Sequence, residues 1–168
     1  GGKVFRIEDC VPNVIELQPM LGKSQKVFIK LSPMLDITAA LRSLDMTFDV
    51  HIVAVKNEVK EVLLVETKGE SEIYATNILD GDERQVFSFS ADEEKQSNCM
   101  IYSREHSLLS DTGVYIYEPN AAIIKSGAFK LVGARYGLHK MGPNTHLYMG
   151  KDYVVDFIEE VSENFERE

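Results

Sequence analysis

Three short apolar runs, with one amphipathic stretch between the first two, restrict this chain more than any other feature. Val27 to Leu31 lies between Gly22-Lys23-Ser24 and Ser32-Pro33, a pattern that suits a strand buried on both faces. Asp36 can cap a helix in which Ile37, Leu41 and Leu44 repeat at i, i+4 and i+7, giving one apolar face to lie on a sheet. A second buried strand follows at Val50 to Val55. Strand, helix and strand of this length predict a parallel crossover unit. Lys56-Asn57-Glu58 is too short for another crossover, so the strand-like Val59 to Val65 should return antiparallel beside its predecessor.

The flanking sequence is less regular. Asn13 and Glu16 have capping-box spacing, but Pro19 should stop a helix early, so Asn13 to Leu21 reads as a loop with one helical turn. From Lys68 the character changes, and the charged, Gly69-bearing stretch Glu66 to Glu72 predicts a boundary. Ile73 to Leu79 and Gln85 to Ser90 then read as strands joined by the turn Asp80-Gly81-Asp82. Ala91 to Asn98 reads as a loop and Val114 to Tyr117 as a strand. Asn120 should cap one helix running through Ala121, Ile124, Ala128 and Leu131 towards Gly137. His146 to Tyr148 and Tyr153 to Ile158 read as two strands, or as a strand and a helix.

Open α/β sheets bind ligands beyond the carboxyl ends of their parallel strands, and the loop Ser32-Pro33-Met34-Leu35-Asp36 occupies that position. Lys30, Ser32, Pro33 and Asp36 are therefore candidates for a substrate-pocket wall, although a turn with a helix cap explains Pro33 and Asp36 equally. The glycine-rich turn of a dinucleotide-binding fold is missing, because the eleven glycines are scattered. Since the strand order suits the closing half of such a sheet, the expectation is a chain cut inside its cofactor domain, inactive alone. It starts at Gly1-Gly2-Lys3 without methionine, which fits that expectation. His51 has no partners spaced for a triad or a metal set, so a core or strand-end role is expected. Lys125, Lys130, Arg135 and Lys140 advance by five and should spread around a helix. Asn144-Thr145-His146-Leu147-Tyr148 mixes hydrogen-bonding and stacking side chains of the kind that meet RNA, as would an ordinary loop entering a strand.

Composition removes other classes. A 44% hydrophobic content in 168 residues is enough for a buried core. No apolar stretch approaches the roughly 20 residues of a membrane helix. Cys10 and Cys99 lack metal-ligand spacing, which predicts a reduced, cytoplasmic protein without a metal. With 27 acidic against 18 basic residues, the net charge of −9 opposes a general attraction to nucleic acid.

Four segments, in order, carry a family resemblance: Ile7-Glu8-Asp9-Cys10-Val11-Pro12-Asn13, Lys30-Leu31-Ser32-Pro33-Met34-Leu35-Asp36-Ile37, Asn57-Glu58-Val59-Lys60-Glu61 and Tyr117-Glu118-Pro119-Asn120-Ala121. Over nearly the whole chain they resemble the bacterial THUMP-like class I S-adenosylmethionine-dependent methyltransferases. The resemblance implies an α/β fold, the C-terminal remnant of a Rossmann-like methyltransferase sheet (strands 5, 6 and 7) followed by a small α+β accessory module. It divides the chain into a methyltransferase part at 1–66, a ferredoxin-like segment at 67–112 and a THUMP-like module at 113–168. It places the cofactor's main contacts upstream, so S-adenosylmethionine would bind the full-length parent and not this chain. By analogy with THUMP domains it points to RNA, held by the accessory module through Tyr117, Glu118, Asn120 and Lys125, while Asn144, His146 and Tyr148 join them as candidates on their own side-chain chemistry. The family's usual ending departs here after Gly150. The rival expectation is a non-catalytic RNA- or protein-binding module on a Rossmann-like scaffold. A partial sheet would also leave an unpaired edge, from which self-association is expected.

Overall fold

The structure is a computed structural model that describes residues 6–23, 26–102, 114–154 and 161–162. It divides into two compact units, Gly1–Ala91 and Asp92–Glu168.

The first unit is built on a five-stranded mixed sheet. β1 (Phe28–Leu31), β2 (Phe48–Val55), β3 (Glu58–Glu66), β4 (Glu72–Ile78) and β5 (Arg84–Ser90) lie in the order β1-β3-β2-β4-β5. Strict alternation drives this arrangement. Phe48, Val50, Ile52 and Ala54 of β2 are buried, and so are Val62 and Leu64 of β3 and Ile29 and Leu31 of β1. Full burial of a side chain such as Leu64 contributes about 1.5–3 kcal/mol. Lys56 and Asn57, both with positive φ, make the two-residue turn that the twist of a β2–β3 hairpin demands. The wholly buried Asn77 fixes that turn, because its Oδ1 accepts from the Asn57 amide at 3.0 Å.

The antiparallel return of β3 is as the sequence predicts. β1 runs parallel to β2, as the crossover unit predicts, with β3 between them and paired antiparallel with both. One expectation about β1 needs correction: it is buried on one face only, because Phe28 and Lys30 on the other face are exposed, as in a sheet with one covered side. The charged stretch Glu66 to Glu72 lies between two strands of one sheet. β4 pairs parallel with β2 and β5 returns antiparallel to β4, so the first unit continues to Ala91.

Helix α1 (Val14–Leu21) exceeds the single turn expected. Asn13 caps it by accepting from Ile15 N at 3.0 Å, and its amide donates to Glu16 Oε1 at 3.1 Å. Pro19 forfeits a bond to the Ile15 carbonyl, yet the helix ends two residues later and little else is lost. Helix α2 (Ile37–Arg42) forms as expected, with Asp36 Oδ1 accepting from Ala39 N at 2.9 Å.

The second unit carries a separate sheet, β7-β8-β6-β9, in which each neighbouring pair is antiparallel. Its strands are β6 (Tyr115–Tyr117), β7 (His139–Lys140), β8 (Tyr148–Gly150) and β9 (Val161–Ser162). α3 (Ala91–Gln96) stands where a loop was expected; its Ala, Glu, Lys and Gln residues are strong helix formers. The helix expected from Asn120 to Gly137 is two, α4 (Ala121–Ser126) and α5 (Phe129–Tyr136). Gly127 separates them with φ 81°, a left-handed conformation that ends α4. Part of the expected Tyr153 to Ile158 element lies outside the described residues.

Candidate functional site

The loop after β1 is shaped by its own short bonds. Ser32 Oγ accepts from Met34 N at 3.3 Å, the Leu35 amide donates to Ser32 O at 3.1 Å, and Asp36 then caps α2. Along α2 the residues Asp36, Ala39, Ala40 and Ser43 share one face by their i, i+3, i+4, i+7 spacing. Their small side chains leave room above the helix. The 3-10 turn Ile7–Asp9 borders that space, and Glu8 Oε1 lies 3.4 Å from Ser43 Oγ. Gln18 of α1 ties the segment to the end of α2, donating to Ser43 O at 3.4 Å and accepting from Asp45 N at 2.6 Å. Between them lies a cavity of about 220 Å³, lined by Asp36, Ala39, Ala40 and Ser43 on one side and by Arg6, Ile7 and Glu8 on the other.

Of the wall residues named from sequence, Asp36 lines this cavity, while Lys30, Ser32 and Pro33 are absent from its lining. Lys30 points along the exposed face of the sheet, with Nζ 2.6 Å from Glu61 Oε1. Arg6, Glu8 and Ser43 went unnoticed. The small-residue spacing of α2 was the available signal for Ser43. Nothing local announces Arg6 and Glu8, because contacts made by Ser43 and Gln18 bring that turn in. His51 stacks on Tyr74 with ring centroids 4.7 Å apart. The Tyr74 hydroxyl donates to Glu72 Oε2 at 2.7 Å, and this bond to a carboxylate holds its pKa above the ordinary value.

In the second unit, several residues assigned to substrate serve the fold with the atoms that would bind it. Tyr117 is wholly buried; its hydroxyl donates to Asp152 O at 2.8 Å and accepts from Val154 N at 3.0 Å. Asn120, also wholly buried, caps α4 by accepting from Ile123 N at 3.1 Å. The Tyr148 hydroxyl donates to Phe129 O at 2.6 Å, and burial pushes this phenol far above its ordinary range. Glu118 and Asn144 are exposed, and Lys125 is half-buried. His146 stacks on Phe129 at 4.4 Å between centroids, and its buried Nδ1 has no hydrogen-bond partner among the described residues. Lys140 stands 5.8 Å from the same ring and donates to Pro143 O at 3.2 Å.

Among the described residues no cluster of three or more His, Cys, Asp or Glu side chains could hold a metal, and no helix is long and apolar enough to cross a membrane.

This is a mixed α/β chain with a five-stranded sheet and a separate small sheet, and known proteins share parts of it. A family described as a ferredoxin-like domain matches residues 115–157. That is the stretch for which the resemblance implied a THUMP-like module; the 67–112 stretch, expected to be ferredoxin-like, contributes β4 and β5 to the first sheet. The chain is also similar to a crystal structure of a "putative methyltransferase" from Porphyromonas gingivalis W83, with a TM-score of 0.79 and 34% identity. The match covers 94% of this chain and 39% of that one, so the chain spans about two fifths of the solved protein. No curated protein matches the sequence. A methyltransferase-like relationship is thereby shown at the level of sequence and fold.

Proposed function

We propose that this chain is the closing part of a class I S-adenosylmethionine-dependent methyltransferase domain joined to an accessory module that positions the substrate. The observation that carries the reading is the 94% coverage at 34% identity by a methyltransferase-like structure more than twice as long. The sheet supports it. A strand, a helix and two antiparallel strands arrive in the order the resemblance requires, and among the described residues β1 pairs on one side only, leaving room for a further strand. On this reading β1, β2 and β3 are the fifth, sixth and seventh strands of the parent sheet. The cofactor's main contacts lie elsewhere in the parent, and the 168-residue chain binds no S-adenosylmethionine by itself. The parent is a bacterial, cytoplasmic enzyme.

RNA is the proposed substrate class, with the module beyond Ala91 holding it so that a nucleophilic atom lies in line with the cofactor's methyl group. Fold likeness alone does not name a substrate. The test is transfer of labelled methyl groups from S-adenosylmethionine to total cellular RNA and, separately, to total protein by the full-length parent. Label in RNA is the expected outcome. Label in protein alone would overturn the substrate class, and cofactor binding without transfer to either would favour a non-catalytic binding module.

A further inference from the structure

The cavity above α2 carries charges of both signs that the fold does not use against one another. Arg6, Glu8 and Asp36 all line it, and among the described residues none of the three takes part in an ion pair. Each carboxylate has a local bond at one oxygen, Asp36 Oδ1 to Ala39 N and Glu8 Oε1 with Ser43 Oγ, which leaves the other oxygen of each available. Ile7 and Ala40, both buried, supply an apolar floor. A volume of about 220 Å³ lies below the range of roughly 300–1,000 Å³ common for drug-sized ligands, so only a small molecule fits.

We infer that this cavity binds a small ampholyte, a molecule with a carboxylate and an ammonium group on a short aliphatic body. The planar guanidinium of Arg6 suits the carboxylate, since its paired N–H groups match two oxygens at once. Asp36 and Glu8 receive the ammonium, and the aliphatic part lies on Ile7 and Ala40. A simple cation would leave Arg6 repelling it, and a simple anion would face two carboxylates. The inference uses residues of the first unit alone and stands apart from the methyltransferase reading; its failure would leave that reading intact.

The probes are norvaline, butylamine and butyrate, titrated into the isotope-labelled 168-residue chain while the amide signals of Ala39 and Ala40 are followed. Norvaline should bind with millimolar affinity, the scale set by so few atoms, and at least about tenfold more tightly than either singly charged analogue. Asp36→Asn keeps a good helix cap while removing charge, so the fold should survive and norvaline affinity should fall about tenfold or more. Arg6→Gln, at an exposed position, should do the same. Equal binding of norvaline and butylamine, no response to norvaline, or unchanged norvaline affinity in both variants would each overturn the inference.

Discussion

Gly133 shows how closely residues of the second unit are fitted. A Cβ built there would stand 2.0 Å from Cys99 Sγ and 3.0 Å from Leu138 O. Gly133→Ala should therefore destabilise the protein by about 1–3 kcal/mol, the cost of overpacking, read as a lowered urea midpoint. Adding Cys99→Ala should recover part of the loss, because the sulfur is the nearest obstacle; no recovery would show that backbone strain at Leu138 dominates. The same neighbourhood sets a pH dependence. Burial raises the pKa of Cys99, Tyr117 and Tyr148 in the folded state. Groups of this kind contribute stability that is complete below their unfolded pKa and lost as pH rises through the folded one. Stability should thus hold through neutral pH and decline once pH passes the thiol's ordinary 9.0, with the phenols following beyond 10.0. Urea midpoints of wild type and Cys99→Ala across that range check the sign, and the variant should lose the earlier part of the decline.

At the scale of elements, α5 depends on a neighbour for its start. Ala128 offers no side-chain cap, and Glu94 of α3 supplies one, accepting from Lys130 N at 3.0 Å and from Leu131 N at 2.8 Å. Glu94→Ala should cost about 1–2 kcal/mol, as the loss of a good cap does, while Arg135→Ala should cost under about 1 kcal/mol because its pair with Glu93 is partly exposed. Comparable losses in the two variants, measured by denaturant unfolding, would contradict the distinction. Such a cap across elements cannot be read from sequence, whereas Asn120 and Asp36 could, since each precedes its own helix. The β2–β3 hairpin was legible for a similar reason: alternation and a three-residue gap are local. The pairing of β4 with β2 was not, because it is a choice of neighbour made across some twenty residues and rests on burial that no single segment displays. The break at Gly127 lay within reach, as a glycine inside a helical pattern can mark an end as well as a tolerated interior position.

For the whole molecule, the sequence and the fold agree on a mixed α/β chain, whose first unit carries a five-stranded mixed sheet and whose second carries a small sheet of its own. The candidate site was legible only in part. The positional rule for open sheets pointed to Asp36, and the rest of the cavity depends on Gln18 and Glu8 reaching α2 from an earlier segment. Among the described residues the β1 edge pairs on one side and bears the exposed Phe28, so the isolated chain is expected to self-associate, with a light-scattering mass above that of a monomer. A strictly monomeric mass would count against an open edge. The central claim is that this chain completes a methyltransferase whose cofactor is held by other parts of the parent. A calorimetric titration of S-adenosylmethionine, run on the full-length parent and on this chain, tests it most directly: binding by the parent and none by the chain is the expected result, and binding by the chain alone, or none by the parent, would contradict it.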